Sequence, residues 1–210
     1  MVKRIGSIFV VLLLVCFQML NAQKVIRKSL QDPEATYLEI NTENCFKVEL
    51  STSESKEILV EARIDGEYKN DLLVRVGHKG PVVGISAGFQ PNFIVPDDKL
   101  SAHKVISISL QIQIPENMKV HILGTSTQVI AEGNYSEFKA ILDDGSCNLN
   151  RIHGSALVTT RSGDINVYST QGTFSINNSF GPVFRDNIPR GKDYFDLTTT
   201  TGEIRLTKIE

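Results

Sequence analysis

The chain has 210 residues, with 22 Lys and Arg against 24 Asp and Glu, no Trp and 7% aromatic residues. This is the make-up of an ordinary folded protein rather than a disordered, collagen-like or multi-span one. A net charge of −2 lacks the basic surplus that nucleic-acid binding by counterion release requires, so no nucleic-acid partner is expected.

The first 22 residues predict a signal peptide. Lys3 and Arg4 precede the apolar run Ile5 to Phe17, and Leu20-Asn21-Ala22 offers a small residue at the cleavage point. The run is shorter than the roughly 20 residues of a membrane span, and no later segment approaches that length, so no transmembrane anchor is expected after cleavage. Cys16 follows Val15 rather than the small residue that a lipoprotein signal places before its cysteine. The mature chain, Gln23 to Glu210, is therefore expected outside the cytoplasm, in the periplasm, on the outer surface or secreted. It keeps Cys45 and Cys147, too few for a disulfide framework. Two separate thiols are expected, with Cys147 pointing inward and Cys45 out of phase with Phe46, Val48 and Leu50.

From Ala35 onward the pattern is period two: Phe46, Val48, Leu50; Ile58, Val60, Ala62, Ile64; Leu72, Val74, Val76; and Ile106 to Ile114 on even positions. Such alternation predicts half-buried strands and no helix, hence an all-β chain over 23–210. Turn signals fall at Asp65-Gly66, Lys79-Gly80-Pro81 and Pro115-Glu116-Asn117. The stretch Gly84 to His103 breaks the alternation and predicts the longest loop. Residues 35–103 thus form an irregular N-terminal strand region ahead of a more regular part, 104–210. Within that loop Phe89, Pro91, Phe93, Ile94 and Val95 are denser in apolar residues than a solvated loop needs. Phe89, Phe93 and Ile94 either cap one end of the fold or contact a partner.

Glycines then set a rhythm. Gly145, Gly154, Gly163, Gly172 and Gly181 follow one another every nine residues, with Gly191 after ten and Gly202 after eleven. Apolar residues keep phase two and four positions later: Cys147 and Leu149, Ala156 and Val158, Ile165 and Val167, Phe174 and Ile176, Val183 alone, then Ile204 and Leu206. The Gly191 unit is shifted by two, to Phe195 and Leu197. One turn and one short strand per unit, stacked coil on coil, predicts a β-solenoid, a single-stranded β-helix-like repeat. Two units per coil would stack Cys147, Ile165, Val183 and Ile204 in that order on one wall, and Ala156, Phe174 and Phe195 on the other. The corner glycines, including Gly202, are expected where a tight turn calls for positive φ.

The strand Leu110 to Pro115, the following Val120 to Gly124, and the units Asp144-Gly145-Ser146, Ser162-Gly163-Asp164-Ile165 and Thr201-Gly202-Glu203-Ile204 resemble the "putative adhesin" family. These are exported bacterial β-strand-repeat proteins related to the head GIN domain. The resemblance covers about Lys104 to Leu206 and implies a β-solenoid-like fold, an extracytoplasmic location and no catalytic residues.

The chemistry-bearing residues offer little else. Calcium-binding nonapeptide repeats need paired glycines and an Asp in each turn, which are missing. The scattered His78, His103, His121 and His153 lack metal-ligand spacing, and there is no G-x-S-x-G, phosphate loop or dinucleotide fingerprint. No cofactor or metal is expected. The leading expectation is a non-catalytic, adhesin-like exported protein that presents outward Thr, Ser, Asn and Arg to an envelope or extracellular macromolecule or a glycan. One alternative is a polysaccharide-active β-helix enzyme using Asp143, Asp144 or Asp164, since glycoside cleavage needs two carboxylates across the bond. Another is a structural or regulatory protein of the periplasm.

Overall fold

The computed structural model describes residues 23–32, 34–94 and 106–210; the expected signal peptide lies outside them. In chain order the strands are β1 (Lys24–Gln31), β2 (Tyr37–Asn41), β3 (Lys47–Ser53), β4 (Glu57–Gly66), β5 (Leu72–Lys79), β6 (Val82–Phe89), β7 (Ile106–Pro115), β8 (Lys119–Leu123) and β9 (Gln128–Asn134). They continue as β10 (Glu137–Ile141), β11 (Cys147–His153), β12 (Ser155–Thr160), β13 (Ile165–Ser169), β14 (Thr173–Asn178), β15 (Val183–Arg185), β16 (Tyr194–Thr199) and β17 (Ile204–Lys208). There is no helix among the described residues, and so none long and apolar enough to cross a membrane.

The all-β expectation holds, but the β-solenoid with an irregular N-terminal region does not. The chain forms two mixed sheets around one core: a nine-stranded sheet ordered β1-β4-β7-β3-β9-β11-β13-β17-β15, and an eight-stranded sheet ordered β14-β16-β12-β10-β8-β2-β6-β5. The pairs β1–β4, β4–β7 and β5–β6 are antiparallel, while β8 to β17 pair in parallel within their sheets. One cause is local. Lys79 pairs with Val82 across the two-residue loop Gly80-Pro81, with Gly80 at φ +57, a hairpin that reverses the chain where a coil would carry it forward. Nor are the N-terminal strands a separate region, since β2 and β3 sit in the middle of their sheets. The expected loop from Gly84 is strand β6 as far as Phe89, and residues 95–105 lie outside the described ones.

The strand order also differs from a simple succession. Ile165 pairs with Ile204, and Ile204 with Val183, so β17 lies between β13 and β15; likewise Phe195 of β16 separates Ala156 from Phe174. The inward positions explain this. The inner slot takes Phe195, Leu197, Ile204 and Leu206, all buried. Of the two displaced strands, β15 carries Arg185 where the fourth-position apolar residue belongs, and beside Leu206 it stays exposed at an edge; β14, with Phe174 and Ile176, is apolar at both positions, and this reason does not extend to it. A guanidinium in the inner slot would be desolvated with no counter-charge.

The glycine-phased positions of the other units face the core: Val129, Ala131, Phe138, Ala140, Cys147, Leu149, Ala156, Val158, Ile165 and Val167 are buried. Buried hydroxyls close the corners beside them. Thr127 Oγ1 donates to Cys45 O at 2.8 Å, and Thr160 Oγ1 to Gly163 O at 2.6 Å. The phase slips at Cys45, because the Cys45 N–H to Thr42 O turn swings this residue inward and leaves Phe46 exposed, and again in β11, where a bulge with Arg151 at φ +46 carries the buried set from Leu149 to Ile152. Cys45 and Cys147 are free, and burial pushes each thiol up to about 12, so neither is a thiolate at neutral pH. Iodoacetamide is expected to label Cys45 and Cys147 only after denaturation, counted by mass spectrometry; labelling of either in the native protein would contradict this packing.

Candidate binding face on the eight-stranded sheet

The hairpin β5–β6 alternates as a half-buried ribbon should. Leu72, Val74, Val83, Ile85 and Ala87 enter the core, and Arg75, Gly77, Gly84 and Ser86 lie on the outer face. Gly77 and Gly84 are direct cross-strand partners. A Cβ at Gly77 would meet nothing within 4 Å, and one at Gly84 only Gly77 O at 3.9 Å. Two missing side chains side by side thus leave a trough in the sheet surface. It forms an open groove of about 700 Å³, with Glu39, Asn41, Arg75, His78, Lys79 and Ser86 along its walls.

The register extends the groove's row onto neighbouring strands. Glu39 pairs with Gly84, His121 with Glu39, and Lys139 with His121. Burial, then the Lys139 ammonium, holds His121 below the ordinary histidine value, with Glu39 and Glu137 pulling the other way. Its Nε2 is buried without a hydrogen-bond partner among the described residues.

Arg75 joins this groove to an aromatic corner. Its Nη2 donates to Phe89 O at 2.6 Å. Phe89 and Phe93 stack with centroids 4.1 Å apart, and Tyr68 meets them edge-on at 5.9 and 5.2 Å. Of the expected contact residues, Phe89 and Phe93 are therefore occupied with each other and with Tyr68, and Ile94, 85% exposed, projects from the corner.

The six corner glycines fall into two groups. Gly145, Gly163, Gly202 and Gly181 stack closely along one corner, where a Cβ would lie 1.7 to 2.3 Å from a neighbour's backbone oxygen. Gly154 abuts Tyr135 O, and Gly172 the rings of Phe174 and Phe195. Only Gly154, at φ +107, has the positive φ expected of all six; the remaining five are placed by lack of room.

The carboxylates of the enzyme alternative hold corners together. Asp143 forms a two-pronged ion pair with Arg161, which keeps its carboxyl below the usual range. Asp144 accepts from Ser126 at 2.6 Å, and Asp164 accepts the Glu203 N–H at 2.8 Å. His153 faces Asp193 at 3.1 Å, and Asp193 also accepts the Gly154 N–H. His121 lies on the binding face; His78, opposite buried Val83, is in phase with the other side of the sheet and faces Asp32 at 3.6 Å; His103 is outside the described residues. Sequence reasoning missed Gly77, Gly84, Glu39, Arg75 and His121. A hairpin assigned at Gly80-Pro81 would have revealed the first two, because they are symmetric about it.

The sequence matches no protein-family model and no curated protein. Among solved structures, the fold is similar to a "putative cell adhesion protein" of Clostridium sporogenes, at TM-score 0.61 and 13% identity, over 89% of this chain and 100% of that one. A "putative adhesin" of Bacteroides fragilis aligns over 89% of this chain and 97% of its own, at 12% identity and TM-score 0.34. One of Parabacteroides distasonis aligns over 87% and 97%, also at 12% and 0.34. The first likeness concerns the fold alone, and the weaker two add nothing to it.

Proposed function

We propose that the chain is an exported, non-catalytic binding protein of the bacterial envelope. Its signal peptide occupies 1–22, its single all-β domain 23–210, and the Gly77–Gly84 groove takes a glycan. The trough carries this reading. It is an open channel whose walls offer the donors and acceptors a sugar chain uses, with Arg75 and Lys79 favouring one that bears carboxylates. The adhesion name of the C. sporogenes protein and the sequence resemblance support an adhesin-like role outside the cytoplasm. The corner duties of Asp143, Asp144 and Asp164 weigh against the hydrolytic alternative, because each carboxylate already has a structural partner.

Gly84→Val tests the groove. A Cβ there meets only ordinary contacts and valine suits a strand better than glycine, so the urea midpoint is expected to stay or rise slightly. Affinity for an acidic oligosaccharide, found in a panel of acidic and neutral polysaccharides by calorimetry, is expected to fall about tenfold or more, or ~1.4 kcal/mol. Equal affinity in the variant would move the site elsewhere. Release of reducing ends, abolished by Asp144→Asn, would overturn the non-catalytic reading.

A further inference from the structure

The two ends of the paired sheets are chemically unlike. At one end the edge strands are β1 and β5. They carry Lys24, Arg27 and Lys28, and Arg75, His78 and Lys79, with no acid in either, the charged edging by which proteins discourage strand addition. At the other end the edges are β14 and β15. β14, Thr173-Phe-Ser-Ile-Asn-Asn178, has no charge and no proline. The Thr173 N–H is bonded to Asp193 O on its inner side, so strand alternation turns the Phe174 and Ile176 N–H groups to the open side. Apolar groups gather at the same end. Phe180 is 83% exposed and Val183 44%, Phe184 is exposed beneath the Arg205 guanidinium, and Phe174 and Ile176 are only partly buried.

We infer that this end is an interface between two copies of the chain, joined edge to edge about a two-fold axis. The end leaves one unpaired strand in each sheet and an open layer of core between them. A single added strand would satisfy one edge and leave the core layer wet. An occupant that continues both sheets and covers the layer at once needs two edge strands at the same separation, which a second copy presents by construction. The axis makes the joint isologous and closed. Head-to-tail joining instead sets the Lys and Arg side chains of the β1 and β5 edges against strands that carry no acid to receive them, whereas the two-fold joint brings together one exposed cation per copy, Arg185 of β15. Antiparallel pairing with Ser175 on the axis places Phe174 of each copy beside Ile176 of the other, both on the core side. The two grooves then lie at the far ends of the pair.

Analytical ultracentrifugation of the exported chain tests this, with Ser175→Lys/Asn177→Lys as the variant. Both positions are exposed on the outer face of β14, so added lysines charge the edge without entering the core. The wild type is expected to sediment as a dimer and the variant as a monomer whose urea midpoint equals that of the wild type diluted until it dissociates. Lys28→Glu, at the opposite end, is expected to leave the dimer intact. A wild-type monomer at all concentrations, a dimer that survives both lysines, a dimer lost in Lys28→Glu, or open-ended oligomers would each overturn the proposal. Should the double variant melt early, Phe180→Ser replaces it. That residue sits in an exposed turn, and its substitution is expected to weaken the dimer about tenfold.

Discussion

Gly163→Ala is expected to destabilise the protein by about 3 kcal/mol, at the upper end of overpacking costs, while Gly77→Ala leaves stability unchanged or slightly improved. Both are glycines of a β chain, and an argument from backbone propensity alone gives them the same forecast. Space separates them. A Cβ on Gly163 would lie 1.7 Å from Gly145 O and 2.5 Å from Gly145 C. The obstruction is backbone, and that backbone is anchored: Gly145 N–H donates to Thr125 O, and Gly163 O accepts from buried Thr160. Relief therefore requires moving a corner that several hydrogen bonds hold, and interiors packed at crystal-like density yield little. At Gly77 the same atom enters open solvent. Urea melts of the two variants check the contrast, and equal midpoints would mean that the corner is looser than its contacts imply.

What the sequence shows and what it conceals follow the same division between local and competitive effects. Alternation is a property of one strand, so the inward sets Cys147/Leu149, Ile165/Val167 and Ile204/Leu206 were legible without any knowledge of neighbours. The order in which the strands stack was not. In the nine-stranded sheet it depends on a comparison between units far apart in the chain: Val183 with Arg185 against Ile204 with Leu206, the more apolar pair taking the slot that is covered on both sides. Gly84 and Gly88 made β6 look like loop, although both tolerate the strand. Gly84 opens on the groove, and Gly88 faces the Asn44 and Arg75 side chains. The groove was concealed for a related reason. Neither Gly77 nor Gly84 is informative alone, and only the hairpin register makes them partners.

Ile165→Asp is expected to cost at least about 4 kcal/mol, a large share of the 5–15 kcal/mol by which such a domain is stable. Asn166→Asp, one residue on, is expected to change stability by no more than about 0.5 kcal/mol. Ile165 is fully buried and sits between Cys147 and Ile204 in its sheet. A carboxylate there meets a thiol and an aliphatic chain, neither able to balance its charge, and would either take up a proton or open the stack. Asn166 points to the outer face, where its amide donates to Asn148 Oδ1 at 2.9 Å and its strand partner is Arg205. An aspartate there loses that donor, but the Asn148 amide can turn to donate in its place, and the guanidinium opposite favours the new charge. The forecasts are opposite for adjacent residues of one strand because successive side chains leave the sheet on opposite faces. The same comparison made one strand over separates the observed order from simple succession. With β17 inside and β15 at the edge, Ile204→Asp is expected to cost as much as Ile165→Asp, and Val183→Asp, half exposed in the single chain, much less, both measured in the monomeric Ser175→Lys/Asn177→Lys background. A Val183→Asp melt as low as that of Ile204→Asp would place β15, not β17, against β13.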